Sequence, residues 1–247
     1  MILTQPDQHF RVAEPFVKKG RKVFIEKPLT LKSRECQDLL QREARKRGGA
    51  TRNPGIMVGN KFIYSAAINA LKNFISENNI TIQAISSRWV KRGGMQRSGI
   101  FFDLAYHHIY LFDYLLNDYF LDLKKFTLHR VEGVPISGVV LLKYKGVSCS
   151  IEVSYNHPYD FFDHSLRLET DKGVFFVSER ERRISVFLDP KSMSTLSFAF
   201  QEKEESSLRE ELKNFYLWLL GEKEISFGPE HDARIIEYLE NEKNNIL

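Results

Sequence analysis

The 247 residues contain no apolar stretch approaching the roughly 20 residues that a membrane helix needs, and the N-terminus lacks a basic region followed by an apolar segment and a cleavage site. Neither a membrane partner nor a secretory leader is expected, and a cytoplasmic location is the default. Cysteine is scarce. Cys36 and Cys149 form no metal-ligand spacing and no disulfide framework, which suits a reducing compartment. No Gly-x-Ser-x-Gly elbow and no Gly-rich loop ending in Lys-Ser/Thr occurs, so serine-type hydrolysis and nucleotide hydrolysis have no positive support. There is also no Gly-x-Gly anywhere in the chain. Without one, these residues offer no preformed backbone cradle for a pyrophosphate.

What is present describes an ordinary globular protein. With 43% of residues apolar, the chain can bury a core sized for one large domain or two small ones. The formal net charge is +4, and basic clusters occur at Arg42 to Arg52, Lys91 to Arg97 and Arg180 to Arg183. Each has acids nearby or sits at a turn, so nucleic acid is not expected as a partner. An anionic small substrate such as a nucleotide sugar would use the same charge.

The first sixty residues alternate short apolar runs with amphipathic stretches, the pattern of a parallel sheet with helices. Met1 to Thr4, Lys22 to Glu26 and Gly55 to Gly59 read as buried strands. Helices are expected near His9 to Lys19 and Arg34 to Arg47, the second with Ser33 as N-cap and Gly48 as stop. Beyond Lys61 the pattern changes to a helix around Tyr64 to Glu77, a strand at Thr81 to Lys91 and an apolar helix around Phe101 to Asn117. Alternating segments follow, with Cys149, Ile151, Val153 and Tyr155 on one strand face and Ser148, Ser150, Glu152 and Ser154 on the other. Turns are expected at Tyr144 to Val147 and Thr170 to Gly173, and closing helices at Ser207 to Leu220 and Glu230 to Lys243. The fold class is therefore α/β plus α+β. Residues 1–60 form a small parallel layer, and 61–247 a domain with a large, mainly antiparallel, open-faced sheet flanked by helices. A parallel layer of three strands leaves an edge where more strands would pair, so either the natural chain is longer or something else covers that edge.

Two groups of residues could carry chemistry. Glu26-Lys27-Pro28 stands at the carboxyl end of a strand, where ligands bind in open parallel sheets, and Pro28 keeps Lys27 out of helical geometry. A charged strand end with a turn proline explains the same residues. Asp103 and His107 lie four apart on the apolar helix and share a face, so a carboxylate beside an imidazole could furnish a general base. A hydrogen-bonded buried pair or a surface pair at helical spacing is the alternative. Asp103, His107 and His108 could also join His129, His157 or His164 around a metal. However, His108 points about 100° away from His107 on a helix, and no metal site is expected.

The order of these residues closely resembles the glucose-fructose oxidoreductase / inositol dehydrogenase (Gfo/Idh/MocA) family: Thr4-Gln-Pro-Asp-Gln-His9, Lys22-Val-Phe-Ile-Glu-Lys-Pro-Leu29, Met57-Val-Gly59 and Asp103-Leu-Ala-Tyr-His107. The resemblance implies an NAD- or NADP-dependent oxidoreductase moving a hydride to or from a carbinol carbon of a sugar, inositol or nucleotide sugar. It assigns Lys27 as electrostatic assistant, His107 as general base, and Asp103 as its partner or a substrate ligand. Thr4, Pro6, His9, Glu26, Lys27 and Pro28 would line the nicotinamide side, and a homo-oligomer would form through the antiparallel sheet. Members usually open with a strand, a Gly-x-Gly-x-x-Gly turn and a helix, so the resemblance implies that residues 1–60 are the C-terminal part of a Rossmann-like dinucleotide-binding domain cut short: a fragment, a late start or a degenerate homologue. Ala105 replaces a common glycine, and Gly59-Asn-Lys-Phe shortens a basic, aromatic segment. The alternative function is a catalytically inactive homologue serving in binding or assembly.

Overall fold

The computed structural model describes residues 1–47, 54–156, 163–178, 183–187, 195–199 and 204–241. The chain divides into two compact units, Met1–Tyr64 with Glu205–Glu242, and Ser65–Glu204 with Lys243–Leu247. The first unit thus takes in the closing helices, which the sequence pattern would assign to the region after residue 60.

In the first unit, β1 (Val23–Glu26) and β2 (Ile56–Gly59) pair in parallel, from Val23 opposite Ile56 to Glu26 opposite Gly59. The strand expected at Met1 to Thr4 is reduced to a single bridge. Ile2 N–H donates to Phe24 O at 2.8 Å and Ile2 O accepts from Glu26 N–H at 3.0 Å, while Leu3 and Thr4 already lie exposed. Helices α1 (His9–Lys18) and α2 (Ser33–Arg47) follow their expected positions closely, with Ser33 as the first helical residue rather than the cap and Gly48 outside the described residues. Both faces of the strands are covered, as an apolar parallel pair requires. α1 packs on β1 and α2, and α6 (Pro229–Glu240) packs on α2 and β2. Phe24 and Met57 meet Trp218 of α5 (Glu204–Leu220), with Phe215 edge-on to Phe24 at 5.2 Å between ring centroids. Lys22 Nζ donates to Trp218 O at 2.6 Å and lies 4.7 Å over its indole.

The second unit is built on an eight-stranded sheet in the order β10-β9-β8-β7-β3-β6-β5-β4. The strands are β3 (Ile82–Val90), β4 (Asp122–Val131), β5 (Val134–Lys143), β6 (Ser148–Ser154), β7 (Asp163–Thr170), β8 (Gly173–Ser178), β9 (Arg183–Phe187) and β10 (Thr195–Ala199). Every neighbouring pair is antiparallel except β3 with β6. The alternation read along β6 holds, with Cys149, Ile151 and Val153 buried and Ser148 and Glu152 exposed. One unforeseen turn joins β4 to β5: Glu132 and Gly133 both have positive φ, as a two-residue hairpin of this hand needs.

Helices α3 (Ala66–Glu77) and α4 (Tyr106–Leu116) belong to the same unit. The apolar helix expected from Phe101 is not uniform. Residues Phe101–Ala105 are π-helical and α4 begins at Tyr106, ending on the left-handed Asn117. Gly138 in β5 makes this possible, since a Cβ there would stand 2.5 Å from the Phe101 ring that anchors the π segment. Among the described residues no helix is long and apolar enough to cross a membrane.

Candidate functional site

In the first unit, the residues singled out in the sequence gather where β1 and β2 end. Glu26 and Lys27 are half-buried and Pro28 is buried. The Lys27 backbone N–H donates to Glu26 Oε2 at 2.8 Å, so the acid folds back over its own strand end. Gly59 on the paired strand leaves room for it, because a Cβ at that position would lie 2.5 Å from Glu26 Oε2 and 2.7 Å from the Phe24 ring. His9 is fully buried. Its Nδ1 lies 2.8 Å from Pro28 O and its Nε2 3.0 Å from Thr4 O, so the imidazole tethers the Thr4 turn to the Lys27-Pro28 turn. Thr4 is exposed and Pro6 half-buried in a short 3-10 turn.

Glu211 of α5 joins this strand-end cluster. It is 2% exposed, the Asn60 backbone N–H donates to it, and its Oε1 has no hydrogen-bond partner among the described residues. Burial, followed by the nearby Glu26 carboxylate, pushes its acid up to about 8. Glu211 is therefore a neutral acid at neutral pH. Its sequence setting, Arg-Glu-Glu-Leu, looks like an ordinary solvated helix face. Cys36 and Cys149 are no nucleophiles, since burial pushes both thiols up to about 12.

In the second unit, the π segment aims Asp103 at residues that the sequence pattern did not single out. Asp103 Oδ2 accepts from Tyr155 OH at 2.6 Å and lies 3.6 Å from Lys91 Nζ, which itself stands 5.2 Å over the Tyr155 ring. The Gln96 backbone N–H also donates to the Tyr155 hydroxyl, and Gly93 N–H donates to Tyr155 O at 3.1 Å. The 91–97 segment is thereby wrapped around Tyr155. Burial, then the hydrogen bond to Asp103, raises the Tyr155 phenol above its ordinary range. His107 is 7% exposed and rests on Trp89, with ring centroids 5.6 Å apart. Its neighbour His108 does point elsewhere, to Ser87 Oγ through Nδ1 and to His164 Nε2 through Nε2 at 2.9 Å. His129 is exposed on β4 and His157 lies outside the described residues. Among the described residues no three His, Cys, Asp or Glu side chains converge as metal ligands.

The fold thus combines a parallel strand pair that has a Lys at its carboxyl end with a large, mainly antiparallel sheet whose β3–β4 connection carries Asp103 and His107. Residues 1–51 match the model of the oxidoreductase family with an NAD-binding Rossmann fold (GFO_IDH_MocA), and the resemblance drawn from Thr4 to Leu29 is borne out by that match. No curated protein matches the chain. Among solved structures, UDP-N-acetylglucosamine 3-dehydrogenase GnnA from Acidithiobacillus ferrooxidans superposes with a TM-score of 0.79 at 14% identity, covering 99% of this chain and 77% of that one. An oxidoreductase domain protein from Kribbella flavida gives 0.81 at 13% identity, covering 96% and 75%. Levoglucosan dehydrogenase, solved in complex with NADH and levoglucosan, gives 0.80 at 14% identity, covering 95% and 74%. The fold of both units is thus that of these oxidoreductases.

Proposed function

We propose that this chain carries the catalytic residues of a nicotinamide-dependent dehydrogenase acting on a carbinol or carbonyl carbon of a sugar, inositol or nucleotide sugar. The observation that carries the reading is the family match over 1–51 together with Lys27 at the end of β1. The relatives named above include one that bears a nucleotide sugar in its name and one bound to an anhydrosugar with NADH, which supports this substrate class.

The residues present suit the nicotinamide end of the cofactor. Thr4, Pro6, Glu26 and Lys27 are exposed or half-buried at the strand ends, within reach of a ligand, while His9 and Pro28 are buried beneath them and hold the two turns together. NAD or NADP, when bound, supplies the hydride acceptor. Lys27 holds an ammonium against the oxygen of the reacting carbon and stabilises the negative charge that develops there. His107 takes the hydroxyl proton on its imidazole. Asp103, already accepting from Tyr155, orients a substrate hydroxyl and keeps the site polar. The test is a fluorescence titration of the chain with NADH and NADPH. Saturable binding is expected, weakened about tenfold in Lys27→Ala, the worth of one charge-assisted contact. Absence of binding at millimolar cofactor would remove the reading for this chain.

The open face of the sheet is proposed to join two copies. Leu141, Phe176 and Phe187 are 44%, 37% and 46% exposed on the face that also carries Arg88, Glu152 and Arg167. Monomers seldom leave apolar side chains so grouped on a sheet uncovered. Light scattering is expected to give about twice the 28.9 kDa chain mass, and Phe176→Glu to halve it. A monomeric wild type would contradict the proposal.

A further inference from the structure

The side chains of three histidines meet on one indole. On β3, strand alternation puts Ser87 and Trp89 on the same face, and Trp89 pairs in register with His164 of β7. The His164 ring stacks on Trp89 with centroids 4.5 Å apart and planes 24° apart, His108 lies 5.7 Å away, and His107 5.6 Å away at 41°. His108 and His164 are hydrogen-bonded through their Nε2 atoms at 2.9 Å, and His108 Nδ1 is bonded to Ser87 Oγ. All of these except the half-buried Trp89 are buried.

This arrangement is one-directional. A neutral imidazole has one N–H and one lone pair, so a Ser87–His108–His164 chain must run donor to acceptor in a single sense, which fixes both ring planes. Burial, reinforced by His164, holds the His108 imidazole well below its ordinary range and keeps that ring neutral. His164, hydrogen-bonded to that ring, is the backing on which the indole stacks. His107, near the start of α4, lies against the same indole, with ring centroids 5.6 Å apart.

We propose that Trp89 is a positioning residue for His107, itself held by its stacking on His164 of the Ser87–His108–His164 chain. The proposal rests on the reading of His107 as general base. Among the described residues, His107 and His108 from α4 and His164 from β7 face the indole. Lys91, two residues further along β3's direction, and Asp103 with Tyr155 form the neighbouring polar cluster.

The experiment uses the full chain and compares Trp89→Ala, Trp89→Leu and Trp89→Phe. Leu keeps apolar bulk without a ring, and serves where Ala fails to fold. The first readout does not depend on turnover: deuterium exchange at the imidazole C2–H of each histidine, followed by mass spectrometry. Exchange at His107 is expected to rise several-fold in the Ala or Leu variant and to stay within about twofold of wild type in the Phe variant, which retains a ring for the imidazole to rest on. Unchanged exchange at His107 in a folded Ala or Leu variant overturns the proposal. The second readout is kinetic. In the same variants kcat should fall about tenfold or more with the KM for NAD or NADP nearly unchanged, because a displaced base loses alignment without losing cofactor contacts, and Phe should restore most of it. Normal turnover in His107→Ala would remove the base assignment instead, and the exchange result would still decide whether Trp89 positions the ring.

Discussion

Turnover in His107→Ala is expected to fall by about a hundredfold or more, the scale on which a lost acid-base group is felt. The assay follows reduction of NAD and NADP with a panel of sugars, inositols and nucleotide sugars. Lys27→Ala should fall by a similar factor. The two losses should differ in character. His107 is buried against Trp89, and its replacement by Ala removes a proton acceptor while leaving the strand-end cluster of the first unit untouched. Its signature is therefore a lower kcat with cofactor affinity retained. Lys27 stands half-buried at the end of β1, with its backbone N–H held by Glu26, so its loss should weaken nicotinamide binding as well as turnover. Near-normal rates in both variants would remove the assignment.

The second large effect is one of stability. Glu211 has its acid raised to about 8 from an ordinary value of 4.5, first by burial and then by Glu26. Below pH 4.5 both the folded and the unfolded chain hold the proton, and the stability associated with this group is fully present. Between 4.5 and 8 the unfolded chain gives the proton up while the folded chain keeps it, so stability falls as pH rises, and above 8 the loss is complete. Each pH unit between the two titrations costs the folded chain about 1.4 kcal/mol, so the fall amounts to several kcal/mol. Glu211→Gln is neutral at every pH and keeps an oxygen to accept from Asn60 N–H. It should match wild type in urea unfolding at about pH 5 and exceed it by about 3 kcal/mol or more at about pH 9. Parallel curves for the two proteins across that range would show that the Glu211 acid is not raised.

Much of the first unit was legible because its elements are encoded locally. Val23 to Glu26 and Ile56 to Gly59 are short apolar runs, and α1 and α2 carry their own periodicity, so ends fell within a residue or two. Ile2 shows the limit of that reasoning. An apolar start suggests a strand, but only tertiary pairing reveals that one residue bridges and the next two are exposed. Asp103 and His107 show another. A spacing of four places two residues on one face only if the helix is α throughout, and the π segment anchored by Phe101 on Gly138 redirects Asp103 to Tyr155 and Lys91. Tyr155 lies 52 residues from Asp103, and His164 lies 56 from His108. No local pattern records such pairs. Glu211 was invisible for a related reason, since its surroundings in sequence resemble any charged helix, while the groups it meets, Glu26 and Asn60, are distant in sequence.

The first unit is assembled from both ends of the described chain, and this sets a timetable for synthesis. Phe24 and Met57 leave the ribosome early, yet Trp218 and Phe215, the side chains that cover them, are translated some 160 residues later. At the pace of roughly 5–20 residues per second, that apolar strand face waits on the order of ten seconds for its cover. The sheet-bearing unit encoded in between has nearly all of its own residues in hand before the segment that opens the sequence can be finished. The strand face translated before the large sheet is covered by a helix translated after it.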